Sequence, residues 1–456
     1  MNRTLKQITF STTMLAAMLF TAQPLVAQTL TEAVTTTIKS NPLILAESYR
    51  SLSVDQTIGQ AEAGYFPQVD LTMGTGRERS DNPQTRVNNE DRKWLDRGES
   101  GITASQMIYD GFATKNSVDQ TKSLAESAGY SVADTTETIS LRTIQVYLEV
   151  IRRQELLKVT EDNLESNERV FSQIKLRADS GVGTKADVEQ SSGRVALSKA
   201  NNKANIGNLV DAKTTFLREV GEPADSLVEP TEDCCSNAPA TLEDAINIAY
   251  HQHPAIRAAL SQHEASLAQQ QGAVAPMHPR VDLELAASAN NDLEGVEGHN
   301  NDRLVMVRLR YNLLNGGADS AFIDQTGFIS EQVKYEANLA QRVIEQDVRL
   351  AWNELQRQTN RLEFLQLRVK STEETREAYQ LQFSLGQRTL LDLLDTENEV
   401  LTARSELING HYDRLYACYW LTETTGKLLE TLKLEAPAEA ITVESPLQMD
   451  KVSSIN

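Results

Sequence analysis

Two aspartates three residues apart, Asp392 and Asp395, are the side chains whose type and spacing could do chemistry. They follow Thr389 at the start of a predicted helix, and residues three apart project from one face of a helix. Carboxylates on one face repel one another and attract cations. Thr389-x-x-Asp392 is also a capping-box pattern, so helix capping alone could explain Asp392. Asp395 lies beyond the first turn and aligns with Gln190 in the first half of the chain, so its charge is the feature to explain.

No other group of residues indicates catalysis. The six histidines include His251 and His253, but a spacing of two residues on a helix points the rings apart, which disfavours a shared metal ion. No nucleophile is paired with a base in a recognisable pattern, and a glycine-rich phosphate loop is absent from the sequence. We therefore expect no enzymatic activity, no cofactor and no metal site.

The aspartates belong to one of two predicted hairpin tips. In Gly386-Gln387-Arg388-Thr389, the glycine ends one helix and the threonine caps the next. The first half of the chain carries the matching tip Gly181-Val182-Gly183-Thr184, followed by Asp187. Upstream of the tips, Thr29–Leu71 aligns without a gap on Thr241–Leu283. The chain is therefore interpreted as one structural unit repeated twice.

Each repeat is predicted to combine long helices with a strand hairpin. Val69–Met73 and Leu304–Tyr311 alternate apolar and polar residues, as a strand with one apolar face does. Their predicted hairpin partners are Ile102–Tyr109 and Val281–Leu285, and the polar segments Arg77–Arg97 and Ser288–Asp302 are predicted to be loops. Apolar residues recur every seven positions in Val150–Phe171, which is typical of a coiled coil. The fold class is therefore mainly α with β. The first predicted segment is a signal peptide (1–27). The first repeat follows with a helical segment (28–66), a strand hairpin (67–110) and a long helix pair (111–221), and it ends at an equatorial linker (222–240). The second repeat has a helical segment (241–278), a strand hairpin (279–315) and a long helix pair (316–426), and it is followed by an equatorial, partly disordered tail (427–456).

Charge and hydropathy restrict where the protein acts. The net charge of −20 disfavours nucleic acid as a partner, because phosphate binding needs a basic face. Arg3 and Lys6 precede the apolar run Ile8–Phe20, a pattern typical of an exported protein. Beyond that run no apolar stretch approaches the roughly 18 residues of a membrane helix, so any membrane crossing must use strands.

The three cysteines leave two alternatives open. They are too few for a disulfide scaffold. Cys418 could bridge to Cys234 or Cys235 in an exported protein, or all three could be unpaired thiols.

The four predicted strands indicate an assembly of several copies. A sheet with an apolar and a polar face could lie in lipid only if its edges were paired, because hydrocarbon offers no partner for free backbone groups. Four strands are too few to close around a lumen, whereas three copies would supply twelve. The polar side chains that would then face the lumen are Asp70, Asp282, Glu284, Arg308 and Arg310.

The tandem repeats, the Asn315–Ala318 turn and the Gly-x-x-Thr-x-x-Asp tips resemble the TolC family of outer-membrane channels. The resemblance covers essentially the whole mature chain, and Gly386–Asp395 is its most specific part. It implies a homotrimer in the outer membrane of a Gram-negative bacterium, with a twelve-stranded transmembrane β-barrel in contact with lipid. A long periplasmic α-barrel tunnel of twelve helices would continue from it, and its entrance would be held shut by the inner hairpins.

The resemblance also assigns roles to the tip residues. Asp392 and Asp395 resemble aspartate rings at the pore constriction, so three copies would bring six carboxylates near the axis. Arg388 matches an arginine of the entrance latch and Asp187 its acidic partner, while Phe383 stands where the family often has tyrosine and implies a weaker latch. The residues implied to face the adaptor are Gly181, Val182, Gly183, Thr184, Gly386, Gln387 and Thr389.

The resemblance implies an exit duct that works with a periplasmic adaptor protein and an inner-membrane ABC or proton-driven transporter. We favour type I protein secretion because no cysteine directly follows the predicted signal peptide, where it could accept a lipid. Multidrug efflux is the alternative cargo class. An alternative of a different class is a periplasmic coiled-coil scaffold or adaptor. The paired strands and polar loops of both repeats disfavour this alternative.

Overall fold

The described part of the chain is mainly helical and contains one four-stranded antiparallel sheet, which confirms the predicted fold class. The structure is a computed structural model that describes residues 28–89, 91–231 and 239–441. The predicted signal peptide, Cys234, Cys235 and the end of the predicted tail (442–456) lie outside these residues. The elements are α1 (Leu30–Ser40), α2 (Pro42–Glu62), β1 (Gln68–Glu78), α3 (Pro83–Val87), β2 (Leu95–Tyr109), α4 (Ala113–Asp179), α5 (Lys185–Val220), α6 (Leu242–Gln252), α7 (Pro254–Gly272), β3 (Arg280–Asn291), β4 (His299–Arg310), α8 (Ala318–Ser384), α9 (Leu390–Thr424) and α10 (Leu428–Leu432).

Two long hairpins of helices lead away from the sheet. Helices α4 and α8 have 67 residues each, which corresponds to about 100 Å at 1.5 Å per residue. The shorter helices α5 and α9 return along α4 and α8, and α2 and α7 cover the halves nearer the sheet. Among the residues described, no helix is long and apolar enough to cross a membrane.

The helical segment that opens each repeat consists of two helices, where the sequence suggested one continuous stretch. The breaks fall at Asn41 and His253, each followed by a proline at the first position of the next helix. Proline disfavours helical geometry in the residue before it but fits the first helical turn. Asn41 accordingly has extended backbone, and its side chain accepts a hydrogen bond from the N–H of Leu43 at 2.9 Å. The Asn-Pro and His-Pro pairs were the sequence signal for this break.

The sheet joins the two repeats and has one apolar and one charged face. Its strand order is β1-β2-β3-β4, so the hairpins of the two repeats meet at β2 and β3. Leu283 lies opposite Val307 on one face, and Asp282 lies opposite Arg308 on the other. On the charged face Arg308 pairs with Glu284 at 2.7 Å. The predicted division between the two faces is confirmed.

The strands extend into segments that the sequence predicted as loops. In place of a loop over 77–97, β1 continues to Glu78 and β2 begins at Leu95, with the short helix α3 between them. The loop predicted over 288–302 is shortened in the same way by β3 and β4. Pairing continues through opposed polar residues such as Asn290 and Asn300, because the ladder is formed by backbone groups.

The larger described apolar cluster lies midway along α4, where the linker and the C-terminal segment meet the long helices. Tyr147, Phe216 and Tyr412 are fully buried in it. The Tyr147 hydroxyl donates a hydrogen bond to the carbonyl of Val228 at 2.6 Å, which ties the linker to α4. Cys418, also buried there, is disulfide-bonded, which favours the first of the two alternatives for the cysteines.

Candidate functional site at the tips of the helical hairpins

Glycine and threonine shape both hairpin tips. Gly181 and Gly386 have φ angles of +79° and +75°, a left-handed conformation that glycine adopts without steric cost. The N–H groups of Val182 and Gln387, one residue beyond each glycine, reach back into the preceding helix at 3.0 and 2.9 Å. These bonds satisfy carbonyls that the helix ends would leave free. The chain therefore reverses within a few residues and presents a narrow exposed end.

Capping boxes begin both return helices. Thr184 caps α5 with Asp187, and Thr389 caps α9 with Asp392. The Asp392 Oδ2 atom accepts hydrogen bonds from the hydroxyl of Thr389 at 2.8 Å and from its N–H at 3.3 Å. These bonds, with the Arg388 guanidinium 3.7 Å away, lower the pKa of Asp392 from its ordinary value. Asp392 is thus a charged carboxylate with a structural task, and its place in a pore ring remains a prediction.

Asp395 has a partner on the other hairpin. The Arg194 Nη2 atom on α5 donates a hydrogen bond to the Asp395 Oδ1 atom on α9 at 2.9 Å. The sequence pattern indicated no structural role for Asp395 and no role for Arg194. The sequence does contain a signal for this pair, because neither residue is kept in the other repeat. Arg194 aligns with Glu399, and Asp395 aligns with Gln190.

Among the described residues, no hydrogen bond or ion pair joins the residues predicted to form the entrance latch. Arg388 lies over the ring of Tyr379 at 4.1 Å and donates a hydrogen bond to Gln382 at 2.9 Å. Asp187 bonds to Thr184, and no ion pair or hydrogen bond joins it to Arg388 in the described residues. A latch between these two residues would have to form between copies, and it remains a prediction.

Phe383 helps to hold the two hairpins together. Its ring is 8% exposed, and Arg177 of α4 lies over it at 4.9 Å. It belongs to an apolar cluster at the tips, to which the first hairpin contributes Val170 and Ile174 and the second contributes leucines at the start of α9. An aromatic ring without a hydroxyl suits this apolar site. The contact with Arg177 was not predicted from the sequence.

A polar cleft of about 530 Å³ lies above the tip cluster, between α4 and the second hairpin. Glu397 projects from α9 into it and is buried, accepting a hydrogen bond from Gln380 of α8 at 3.0 Å. Across the cleft, Arg404 of α9 pairs with Asp162 of α4 at 3.7 Å. Near their ends, the hairpins therefore meet through apolar contacts at the tips and through polar contacts in the cleft above them.

The tips themselves are exposed. Val182 has 80% of its surface accessible, and Gln387, Arg388 and Thr389 are also exposed. An exposed apolar residue at the tip of a helical hairpin is available to a partner protein. The residues predicted to face an adaptor therefore lie on an accessible surface, and the adaptor contact itself remains a prediction.

The histidine pair has a structural place away from the tips. His253 caps α7, where its Nδ1 atom accepts a hydrogen bond from the N–H of Ala255 at 3.2 Å. Burial lowers the pKa of His253 to about 4, so the ring is neutral near neutral pH and can accept this bond. Among the described residues, no group of three or more His, Cys, Asp and Glu side chains is arranged to hold a metal ion.

Known proteins share this sequence and architecture. The sequence profile of the family described as "Outer membrane efflux protein" matches residues 34–221 and 245–427. Outer membrane efflux protein BepC of Brucella suis is 22% identical over 424 residues, covering 93% of this chain and 91% of its own. Outer membrane protein TolC of Vibrio cholerae is 22% identical over 411 residues, with coverages of 89% and 92%. Proteases secretion protein PrtF of Dickeya chrysanthemi is 24% identical over 401 residues, with coverages of 84% and 85%.

The fold is also that of solved channels. The structure of CusC superimposes with a TM-score of 0.77 at 15% identity, covering 88% of this chain and 92% of that one. The profile match covers most of the chain and includes both repeats, which confirms the resemblance to the TolC family. The chain therefore belongs to the outer membrane efflux protein family, whose members are outer-membrane channels.

Proposed function

We propose that this protein is the passive exit duct of a tripartite export machine, assembled as a homotrimer. The continuity of the chain carries this proposal. A sheet with an apolar and a charged face leads directly into helices of 67 residues, which end in exposed tips. A molecule built in this way can connect a membrane-embedded wall to a partner about 100 Å away.

The edges of the sheet support the trimer. β1 and β4 each pair on one side only among the described residues, so one edge of each strand is free. Joining β4 of one copy to β1 of the next would pair these edges and satisfy the backbone in lipid. Three copies give twelve strands, and the charged face with Asp282 and Arg308 would line the lumen.

The tips support docking to a periplasmic adaptor. They lie at the end opposite the sheet, are exposed, and contain the same turn twice, at Gly181 and at Gly386. An adaptor could therefore contact each copy at two similar places. The energy for export would come from an inner-membrane ABC or proton-driven transporter.

We favour a protein cargo, as in type I secretion. The relative PrtF, which is named for the secretion of proteases, supports this preference. Multidrug efflux is the second candidate, and the relative BepC, named as an efflux protein, favours it.

Deletion of the gene tests both candidates in one strain. We expect a protein to disappear from the culture medium and to return when the intact gene is restored. Unchanged secretion together with increased sensitivity to antibiotics would favour drug efflux. Membrane fractionation tests the duct itself: if the protein is recovered with soluble periplasmic proteins, the scaffold alternative replaces it.

A further inference from the structure

The ion pair between Arg194 and Asp395 joins two helices that are not packed side by side. Helix α4 packs along both α5 and α9, whereas α5 and α9 make little direct contact with each other. The ion pair joins these two helices with an Nη2–Oδ1 distance of 2.9 Å. Arg194 is 31% and Asp395 56% exposed in their side chains, so both charges lie where they can act on ions in solution.

The two repeats differ at both members of the pair. Their tips agree at the glycine, the capping threonine and the capping aspartate, yet Gln190 aligns with Asp395, and Glu399 aligns with Arg194. The pair therefore depends on two residues that the repeats do not share. Asp395 occurs only in the second repeat, and Arg194 occurs only in the first. Capping, which is common to both repeats, does not explain this difference.

Each aspartate of the predicted constriction has an arginine beside it. Asp392 lies 3.7 Å from Arg388 of its own tip, and Asp395 accepts a hydrogen bond from Arg194 of the other hairpin. The four side chains together carry no net charge. Six carboxylates in a trimer would accordingly be accompanied by six guanidinium groups.

We propose that Arg194 determines the ion selectivity of the entrance by neutralising Asp395. This inference rests on the proposed trimeric duct, in which the aspartates approach the axis. With Arg194 in place, the entrance attracts cations much less than its aspartates alone would. Removal of Arg194 leaves one uncompensated carboxylate in each copy.

Reversal potentials test the proposal. The purified protein is inserted into a planar bilayer, and the potential is measured with a gradient of dilute potassium chloride across the bilayer. We expect Arg194→Ala to raise the ratio of potassium to chloride permeability at least about fivefold, because an uncompensated charge about 4 Å away favours a cation by about that Boltzmann factor in water and also disfavours the anion. The increase should shrink in about 1 M salt, where the screening length is only about 3 Å. Arg194→Lys keeps the positive charge and should retain the wild-type ratio.

Two further variants make the test specific. Lys199→Ala removes the same charge from the same helix, but Lys199 pairs with Glu168 of α4 at 2.9 Å, so the wild-type ratio is expected. Arg194→Ala combined with Asp395→Asn removes both charges and should restore a ratio near the wild-type value. Equal ratios for Arg194→Ala, Lys199→Ala and the wild type would overturn the proposal. If the wild-type protein forms no channel at all, the proposed duct itself fails.

Discussion

Glu137 provides a test of the packing between α4 and the C-terminal segment. Its side chain is buried, with the residue 7% exposed, and its two carboxylate oxygens accept hydrogen bonds from the N–H groups of Leu428 and Leu429 at 3.0 and 3.3 Å. Burial raises the pKa of Glu137 to about 8, the two hydrogen bonds oppose this shift, and the nearby Glu423 adds to it. The carboxyl group therefore holds a proton in the folded protein at pH values where the unfolded chain has released it.

The sign of the pH dependence follows from this difference. Between the ordinary pKa of a glutamate and about 8, the folded state binds more protons than the unfolded state, so the free energy of unfolding falls as the pH rises. From pH 6.5 to 8, a single group with a pKa of about 8 lowers the free energy of unfolding by about 1.6 kcal/mol. Glu423, with a pKa raised to about 7, acts in the same direction. His253, with its pKa lowered to about 4, acts in the opposite direction, but mainly below pH 6.5.

Thermal unfolding in detergent, followed by helical circular dichroism, measures this effect. We expect the midpoint of the wild-type protein to fall between pH 6.5 and 8. Glu137→Gln should show a flatter dependence, because the amide does not titrate. Glu189→Gln, at an exposed position of α5, is the matched control and should keep the wild-type slope. A wild-type midpoint that stays constant or rises over this range, or an unchanged slope in Glu137→Gln, would refute the reasoning.

Three further predictions concern the tips. Arg388→Ala should raise single-channel conductance in planar bilayers, because the proposed latch between copies would lose its guanidinium group; an unchanged conductance would remove Arg388 from the latch. Gly386→Ala should destabilise the protein by about 1 kcal/mol because of the positive φ, measured as a lower unfolding midpoint, whereas Gly193→Ala inside α5 should not lower it. Asp392→Asn retains an oxygen that can accept the capping bond but loses the charge, so it should lower cation selectivity with little change in the unfolding midpoint; a large loss of stability with unchanged selectivity would assign Asp392 to capping alone.

The sequence predicted the architecture because its main features are local or repeated. The strands follow from the alternation in Val69–Met73 and Leu304–Tyr311, and the tips follow from glycine and threonine at fixed spacing. The helix break at Asn41 was not predicted, because the predicted helical segment (28–66) continued past Pro42. Pro42 itself is a local signal for the break. The extent of the strands could not be predicted well, because their polar ends pair through backbone atoms that the side-chain pattern does not report.

The candidate site was predicted only in part, for a physical reason. The capping bonds of Asp187 and Asp392 join residues three apart, so a sequence pattern reveals them. The pair of Arg194 with Asp395 and the contact of Arg177 with Phe383 join different hairpins, and they depend on how the helices pack. No spacing along the chain encodes such contacts.

Capping and charge are not competing explanations for Asp392. Both capping bonds end on the Oδ2 atom, as they do for Asp187, and this leaves Oδ1 without a hydrogen-bond partner among the residues described. The capping bonds also lower the pKa of Asp392, so the bonds that build the helix start keep the carboxylate charged. A single side chain can therefore begin α9 and present a negative charge to solvent. Both repeats use the capping bonds of this aspartate. Its negative charge gains a function only where the tips of several copies converge. The residues at which the repeats differ, Asp395 and Arg194, are therefore the ones to test for function.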